Sequence, residues 1–404
     1  MYQPPKGTRD FLPEDMAKRR FIFEKLRSVF EKYGYGEIDT PAFENIELFE
    51  KKGSVGGQAV KDIYRFKDKS GRELALRFDM TVPVARVVMS NKLPKPIRFY
   101  YISKNWRYEE IKKGRYREFY QAGIELIGPS GSEADAEIIQ VTVDLMIALG
   151  FENFKIRINS RAILDGFAKK LKIKNADEVF RVLDKLDKKG EAAVRKEMAG
   201  LISKKQTDGL FELISGKTNE MDSILNALDK KYRKYVKVDL SIARGLDYYT
   251  GFIFETIMKG FESIGSVCSG GRYDSLIEKF GGEKTPATGF GFGIERIVDI
   301  MSEKKMFPDS GKKSFFVVPV NDAMKKKAAD ICNELRAVGI AAETDLLGRS
   351  LNKNLDYINS KKISYAIIIG QKELDAGKIK LKDMKTGEER DIDMNAIKDV
   401  LGFL

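Results

Sequence analysis

The stretch Glu118–Ile127, EFYQAGIELI, reads as a strand, and a strand sends alternate side chains to opposite faces. Tyr120, Ala122, Ile124 and Leu126 share one face and suit a core. Phe119, Gln121, Gly123 and Glu125 share the other, which carries an amide and a carboxylate with a glycine between them. That face has room for a polar ligand against bare backbone; it can equally belong to a half-exposed sheet whose polar side meets water.

Three further constellations could carry chemistry. Pro286–Arg296 contains Gly289, Gly291 and Gly293 in alternation, so one face of a strand there would have no side chains and a planar base or ribose could approach it. Tight packing of a glycine face against another element is the competing reading. The spacing differs from the dinucleotide-binding G-x-G-x-x-G. Ser241–Gly251 and Ser269–Asp274 mix Arg, paired Tyr and Asp among glycines, a composition that can orient a small polar ligand or merely form Gly-rich turns. Tyr108–Arg117 is basic, contains a glycine and is longer than most hairpin loops, which suits either phosphate contact or a solvated charged loop.

The chain contains no histidine, which removes the usual general base and excludes Ser-His-Asp and HExxH chemistry. Any reaction must run on carboxylates, Arg, Lys, Tyr, backbone groups and bound ions.

The elements that must position these residues follow from periodicity. Ile22, Leu26, Val29, Phe30 and Tyr33 mark an amphipathic helix over Pro13–Tyr33, ended by Gly34 and Gly36. A strand with Pro41 at its edge is expected next, then strands near Leu74–Phe78, Arg98–Arg107 and Glu118–Ile127. From Leu164 to Lys234 the chain turns Lys-rich and helical, like an insertion. Strand character returns at Val236–Arg244, Phe252–Thr256 and Ala287–Gly293. Residues 308–313 read as a linker. Beyond it, strands at Phe315–Val320, Ile340–Thr344 and Tyr365–Ile369 alternate with helices at Ala323–Val338 and Leu351–Ser360, which predicts a mixed, largely parallel sheet.

At 404 residues the chain is long enough for two or three domains, and 43% hydrophobic residues suffice for their cores. No apolar run approaches a membrane span, and residues 1–15 lack a secretory signal. Two distant cysteines exclude a disulfide framework and an all-cysteine zinc site, and point to a reducing cytoplasm. The net charge of +12 suits a polyanionic partner such as RNA, or simply a Lys-rich surface.

Taken together, these segments resemble histidyl-tRNA synthetases, a class II aminoacyl-tRNA synthetase family. PPKGTRDFLP at Pro4–Pro13, Arg107-x-x-Glu110 followed by GRYREFYQ, ARGLDYYTG at Ala243–Gly251, SGGRYD and GFGFGIER occur in the family's order. The resemblance implies an α+β fold: a class II antiparallel catalytic sheet flanked by helices, a helical insertion and a C-terminal α/β anticodon-binding domain. It divides the chain into a catalytic domain at 1–163 and 236–308, an insertion at 164–235 that approaches the acceptor arm, and an anticodon-binding domain at 313–404. The segment around Pro41 resembles motif 1, which builds a homodimer interface; the Arg107 hairpin resembles motif 2, and Gly289–Arg296 motif 3.

The implied activity is ATP-dependent activation of histidine and its transfer to the 3′ end of histidine tRNA, in the cytoplasm and away from membranes. By the resemblance, Arg107 and Arg296 hold the ATP phosphates, Arg115 reaches the terminal phosphate, and Glu109 and Phe119 frame the adenine. Asp79, Thr81 and Gln121 take the α-amino group. Glu125 and Tyr249 read the imidazole with Tyr248 beside them, and Arg244 sits between the histidine carboxylate and the α-phosphate. Mg2+ bridges the phosphates, with no protein metal ligand assigned. The substrate carboxylate is already ionised, so the first step needs no protein base and tolerates a chain without histidine.

Two residue patterns depart from the family. Many members carry Arg-Pro-Gln in the motif 2 loop where this chain has Glu110-Ile111-Lys112, and some have Glu in place of Asp79. The alternative is a non-charging paralogue, the regulatory subunit of ATP phosphoribosyltransferase; such paralogues tend to lose the C-terminal domain and the catalytic arginines.

Overall fold

The computed structural model describes residues 2–50, 60–112, 114–243, 248–308 and 313–394. Two compact units divide the chain, Met1–Phe307 and Pro308–Leu404.

The first unit is built on an eight-stranded sheet of β1 (Gly36–Glu37), β5 (Ile97–Trp106), β6 (Glu118–Ile127), β7 (Phe154–Ser160), β8 (Val236–Val238), β9 (Phe252–Met258), β10 (Cys268–Arg272) and β11 (Ala287–Gly293). Their spatial order is β1-β5-β6-β11-β10-β9-β7-β8, antiparallel throughout except at its two edges. A small sheet of β2 (Phe43–Asn45), β3 (Arg65–Lys67) and β4 (Glu73–Leu76) stands beside it. Pro41 lies outside both β1 and β2, as suits a residue with no N–H for the ladder.

The expected first helix spans Pro13–Lys32, with Pro at its start, Glu14 and Asp15 in its first turn and Lys32 in its last. Gly34, at φ +76°, turns the chain out of it. Ile22, Leu26, Val29 and Phe30 are buried against the underside of the sheet. Helices Ser132–Ala148 and Ile294–Glu303 complete this layer, so that Ala122, Ile124 and Leu126 of β6 face a continuous apolar core with Phe254, Phe290 and Phe292. Each such phenylalanine contributes roughly 1.5–3 kcal/mol by burial. The opposite face of β6 is left for the site.

Short helices fill 161–233. Those from Arg161–Lys170 to Lys204–Ser215 share a core of Leu164, Val179, Leu183, Val194, Met198 and Leu210, which packs on Ile253 of β9. Met221, Ile224, Leu228 and Tyr232 join the main core instead, so the segment expected as an insertion has two packing environments.

Several local expectations change. The strand expected over Val236–Arg244 ends at Val238, where a turn begins in which Asp239 accepts the Ser241 N–H and hydroxyl; Arg244 lies outside the described residues. Strands β7 and β10 were not foreseen. β7 carries charged residues between its apolar ones, and β10 reads as a glycine turn until it is paired on both sides.

In the second unit β12 (Ser314–Pro319) pairs in parallel with β13 (Ala341–Thr344) and β14 (Tyr365–Ile369), with helices Lys325–Ala337 and Leu351–Ser360 as connections. Two antiparallel strands, β15 (Lys378–Asp383) and β16 (Glu389–Asp393), extend it. The sheet is therefore mixed, with half of its four pairings antiparallel.

Candidate active site

Glu125 lies on the open face of β6, yet it is buried. Strand pairing explains how. Glu125 sits opposite Gly289 of β11, Gly123 opposite Gly291 and Gln121 opposite Gly293. A Cβ on Gly289 would strike the Glu125 carboxylate, and one on Gly291 would strike the Gln121 amide. The glycine face thus clears space for the side chains of β6 as well as for a ligand. Gly123 plays the same part toward β5: it pairs with Tyr101, whose hydroxyl occupies the place a side chain at 123 would need.

Hydroxyls surround the Glu125 carboxylate. Thr81 donates to Oε1 at 2.8 Å, Tyr101 approaches the same oxygen at 3.5 Å, and Tyr273 donates to Oε2. Burial pushes the Glu125 carboxyl up to about 8; the hydroxyls of Tyr273, Thr81 and Tyr101 oppose that rise and the nearby Asp79 adds to it. The same burial drives the phenols of Tyr101, Tyr248 and Tyr273 well above their ordinary value. This corner can therefore offer hydrogen-bond donors and an acceptor to a small polar ring.

Asp79 precedes the helix Thr81–Ser90 and lies in the same cavity. Its Oδ1 accepts weakly from the Val82 N–H at 3.4 Å, while its Oδ2 is buried with no hydrogen-bond partner among the described residues. Burial raises this carboxyl to about 6, and the charge on Arg107 opposes the rise. An unpaired buried carboxylate oxygen is costly and calls for a cationic or N–H partner.

Arginines occupy the other end. Arg107 follows β5, donates from Nε to the Phe78 carbonyl at 2.9 Å and lies 5.1 Å from the centroid of Phe119. Arg115, exposed on the loop between β5 and β6, pairs with Glu109 at 3.0 Å. Arg296, in the first turn of the Ile294–Glu303 helix, donates to the Ser266 carbonyl. Beside it, buried Glu295 accepts from Arg19 at 3.0 and 2.5 Å, from the Tyr120 N–H at 3.1 Å, and from Arg9.

A cavity of about 500 Å3 joins the two ends. Asp79, Thr81, Arg107, Glu109, Arg115, Phe119, Gln121, Glu125, Tyr248, Tyr249 and Arg296 all line it. A carboxylate end and an arginine end in one cavity suit a ligand that pairs a small amine with a polyphosphate.

The family model for histidyl-tRNA synthetase matches residues 7–297, and a model for an anticodon binding domain matches residues 314–402. Histidine–tRNA ligase of Pyrococcus furiosus is 42% identical, over 100% of this chain and 99% of the relative. That of Thermococcus kodakarensis is 41% identical, over 99% and 98%. The chain belongs to the histidyl-tRNA synthetase family. Among solved structures, histidyl-tRNA synthetase from Nostoc sp. PCC 7120 superposes with a TM-score of 0.82 at 27% identity, covering 100% of both chains. A structure described as an ATP phosphoribosyltransferase regulatory subunit/histidyl-tRNA synthetase from Bacillus halodurans has a TM-score of 0.72 at 25% identity, covering 88% of this chain and 96% of that one.

Of the residues that resemblance to histidyl-tRNA synthetases assigns, eleven share the cavity, and Arg244 falls outside the described residues. The sequence reading missed Tyr101, Tyr273 and the Arg9–Arg19–Glu295 cluster. Tyr273 had a visible signal, since it sits in the SGGRYD segment already singled out. Tyr101 had none: it lies in a run of strand residues, and only the pairing with Gly123 aims it at Glu125.

Proposed function

We propose that the chain joins histidine to ATP to form histidyl-adenylate and then passes the histidyl group to the terminal ribose of histidine tRNA. Buried Glu125 within its ring of hydroxyls, in one cavity with the Asp79 carboxylate and three arginines, carries this reading.

Asp79 takes the α-amino group; its partnerless Oδ2 supports this, with Thr81 and Gln121 alongside. Glu125 and Tyr249 read the two imidazole nitrogens, one a donor and one an acceptor in the neutral ring, and Tyr248 stacks edge-on against Tyr249 at 4.9 Å. An amino acid without those nitrogens forfeits the hydrogen bonds to Glu125 and Tyr249 while still displacing water from the cavity, and a site built to hydrogen-bond its substrate in this way can discriminate by about 10⁴ or more.

Arg107 and Arg296 hold the ATP phosphates and Arg115 reaches the terminal one, while Phe119 and Glu109 frame the adenine. The histidine carboxylate attacks the α-phosphorus; the P–O bond to pyrophosphate breaks, and pyrophosphate leaves with the electron pair. Charge gathers on the α-phosphate during that exchange, where Arg107 and Arg244 stabilise it. A ribose hydroxyl of tRNA then attacks the adenylate carbonyl and AMP departs. Mg2+ bound with ATP would supply positive charge to the polyphosphate.

The unit from Pro308 reads the anticodon, and the insertion meets the acceptor arm. A homodimer is supported by Phe43 and Phe66, exposed and edge-to-face at 6.0 Å on the small sheet next to Pro41. Two buried free cysteines support a cytoplasmic setting, and among the described residues no helix is long and apolar enough to cross a membrane.

Amino-acid-dependent pyrophosphate–ATP exchange tests the reading. Exchange with histidine alone, lost in Glu125→Ala, is expected. Absence of exchange with every amino acid would favour the regulatory paralogue, which Arg107, Arg296 and the matched anticodon-binding domain argue against.

A further inference from the structure

The segment just ahead of the first helix folds back over the base of the β5–β6 loop. The Gly7 carbonyl accepts from the Arg117 N–H at 2.9 Å, and Gly7, at φ +88°, lies so close to the Arg117 side chain that a Cβ would come within 2.7 Å of its Cγ. Two residues on, the Arg9 guanidinium lies 3.7 Å over the Tyr116 ring and also pairs with Glu295. Tyr116 directly follows Arg115; Glu295 directly precedes Arg296.

We propose that Arg9 is a positioning residue for ATP: by bridging Tyr116 and Glu295 it fixes the spacing of Arg115 and Arg296, the two arginines at the phosphate end of the cavity. This rests on the phosphate-binding reading given above. Glu295 already has two other partners, the buried Arg19 and the Tyr120 N–H. Its burial is therefore satisfied without Arg9, whose side chain is 32% exposed. What Arg9 adds is the link to the loop. That loop is polar and charged, its Ile111 is exposed, and its Gly114 runs against the Arg296 side chain, where a Cβ would approach Cγ to 3.1 Å. A flat guanidinium can lie face-on against a ring while its fork of N–H donors pairs with a carboxylate, a geometry that a point-like ammonium reproduces only in part.

Steady-state exchange over a range of ATP and of histidine concentrations tests this on Arg9→Ala, Arg9→Lys, Tyr116→Leu and Arg115→Ala, with Tm recorded for each. Arg9→Ala is expected to raise KM for ATP by about 10- to 100-fold, the scale set by a small misplacement of binding groups, and to leave KM for histidine and Tm unchanged. Arg9→Lys restores part of the loss. Tyr116→Leu, which leaves the Arg9–Glu295 pair in place, raises KM for ATP in the same way, and combining it with Arg9→Ala adds nothing. An unchanged KM for ATP in Arg9→Ala beside a raised one in Arg115→Ala overturns the proposal alone. A rise in both KM values together with a lower Tm also overturns it, since that marks a general structural role. An unchanged KM for ATP in Arg115→Ala overturns the phosphate reading and the proposal with it.

Discussion

The hydroxyl of Tyr273 donates to Oε2 of Glu125 from beyond the intervening strand β11. The bond helps to hold the Glu125 carboxyl down against the larger effect of burial. Tyr273→Phe therefore removes a donor and lets Glu125 hold its proton to higher pH. A hydrogen bond to a charged group contributes about 1.5–3 kcal/mol, so KM for histidine should rise about 10- to 100-fold, with KM for ATP unchanged. The acid limb of kcat/KM for histidine should move to higher pH, as read by exchange rates across a pH series. An unmoved limb would remove Tyr273 from imidazole recognition.

Glu125 also makes the unliganded protein sensitive to alkali. Its folded-state value of about 8 lies above the ordinary 4.5, so the folded protein keeps a proton that the unfolded chain has lost. The stability this contributes is complete below about 4.5 and is lost as pH rises through about 8. Asp79 acts in the same direction between 3.8 and about 6. Glu125→Gln, which carries no charge at any pH, is expected to flatten the decline and to raise Tm at pH 8.5 relative to the parent. Denaturation followed from pH 5 to 9 checks this; parallel curves for the two proteins would contradict it.

Asp79→Asn removes the charge whose Oδ2 lacks a partner. Losing one member of a buried charge pair costs about 3–5 kcal/mol, so kcat/KM for histidine should fall about 10²- to 10⁴-fold. Because the buried charge is also gone from the free protein, Tm at pH 8 should not fall. A variant with full histidine activity would show that the α-amino group binds elsewhere.

Gly289→Ala tests the glycine face directly. The added methyl would meet the Glu125 carboxylate and the Ile124 carbonyl. Histidine activation is expected to be lost while ATP binding, measured by equilibrium dialysis, persists through Arg107 and Arg296. Retained histidine activity would show that Glu125 can move aside without cost.

Much of this architecture was legible in local spacing. The period-two pattern of Glu118–Ile127 put Gln121 and Glu125 on the cavity face, and the alternating glycines of Gly289–Gly293 marked the strand beside it. Spacing could not show what stands around Glu125. Thr81, Tyr101 and Tyr273 come from three separate segments, and only strand register brings their hydroxyls together. Nor could it show that the side chains of β6 cover Gly289 and Gly291. Glu295 lies in the first turn of the Ile294–Glu303 helix, and its partners Arg9 and Arg19 lie more than 270 residues away, beyond the reach of local spacing.

The hydroxyl ring around Glu125 sits in a chain that contains no histidine. Once histidine binds, the imidazole in the folded complex is the ligand's own. Even with the protein fully labelled in nitrogen-15, every imidazole signal in spectra of the complex would therefore belong to the ligand and none to a side chain. Those signals would report directly which ring nitrogen bears the proton beside Glu125.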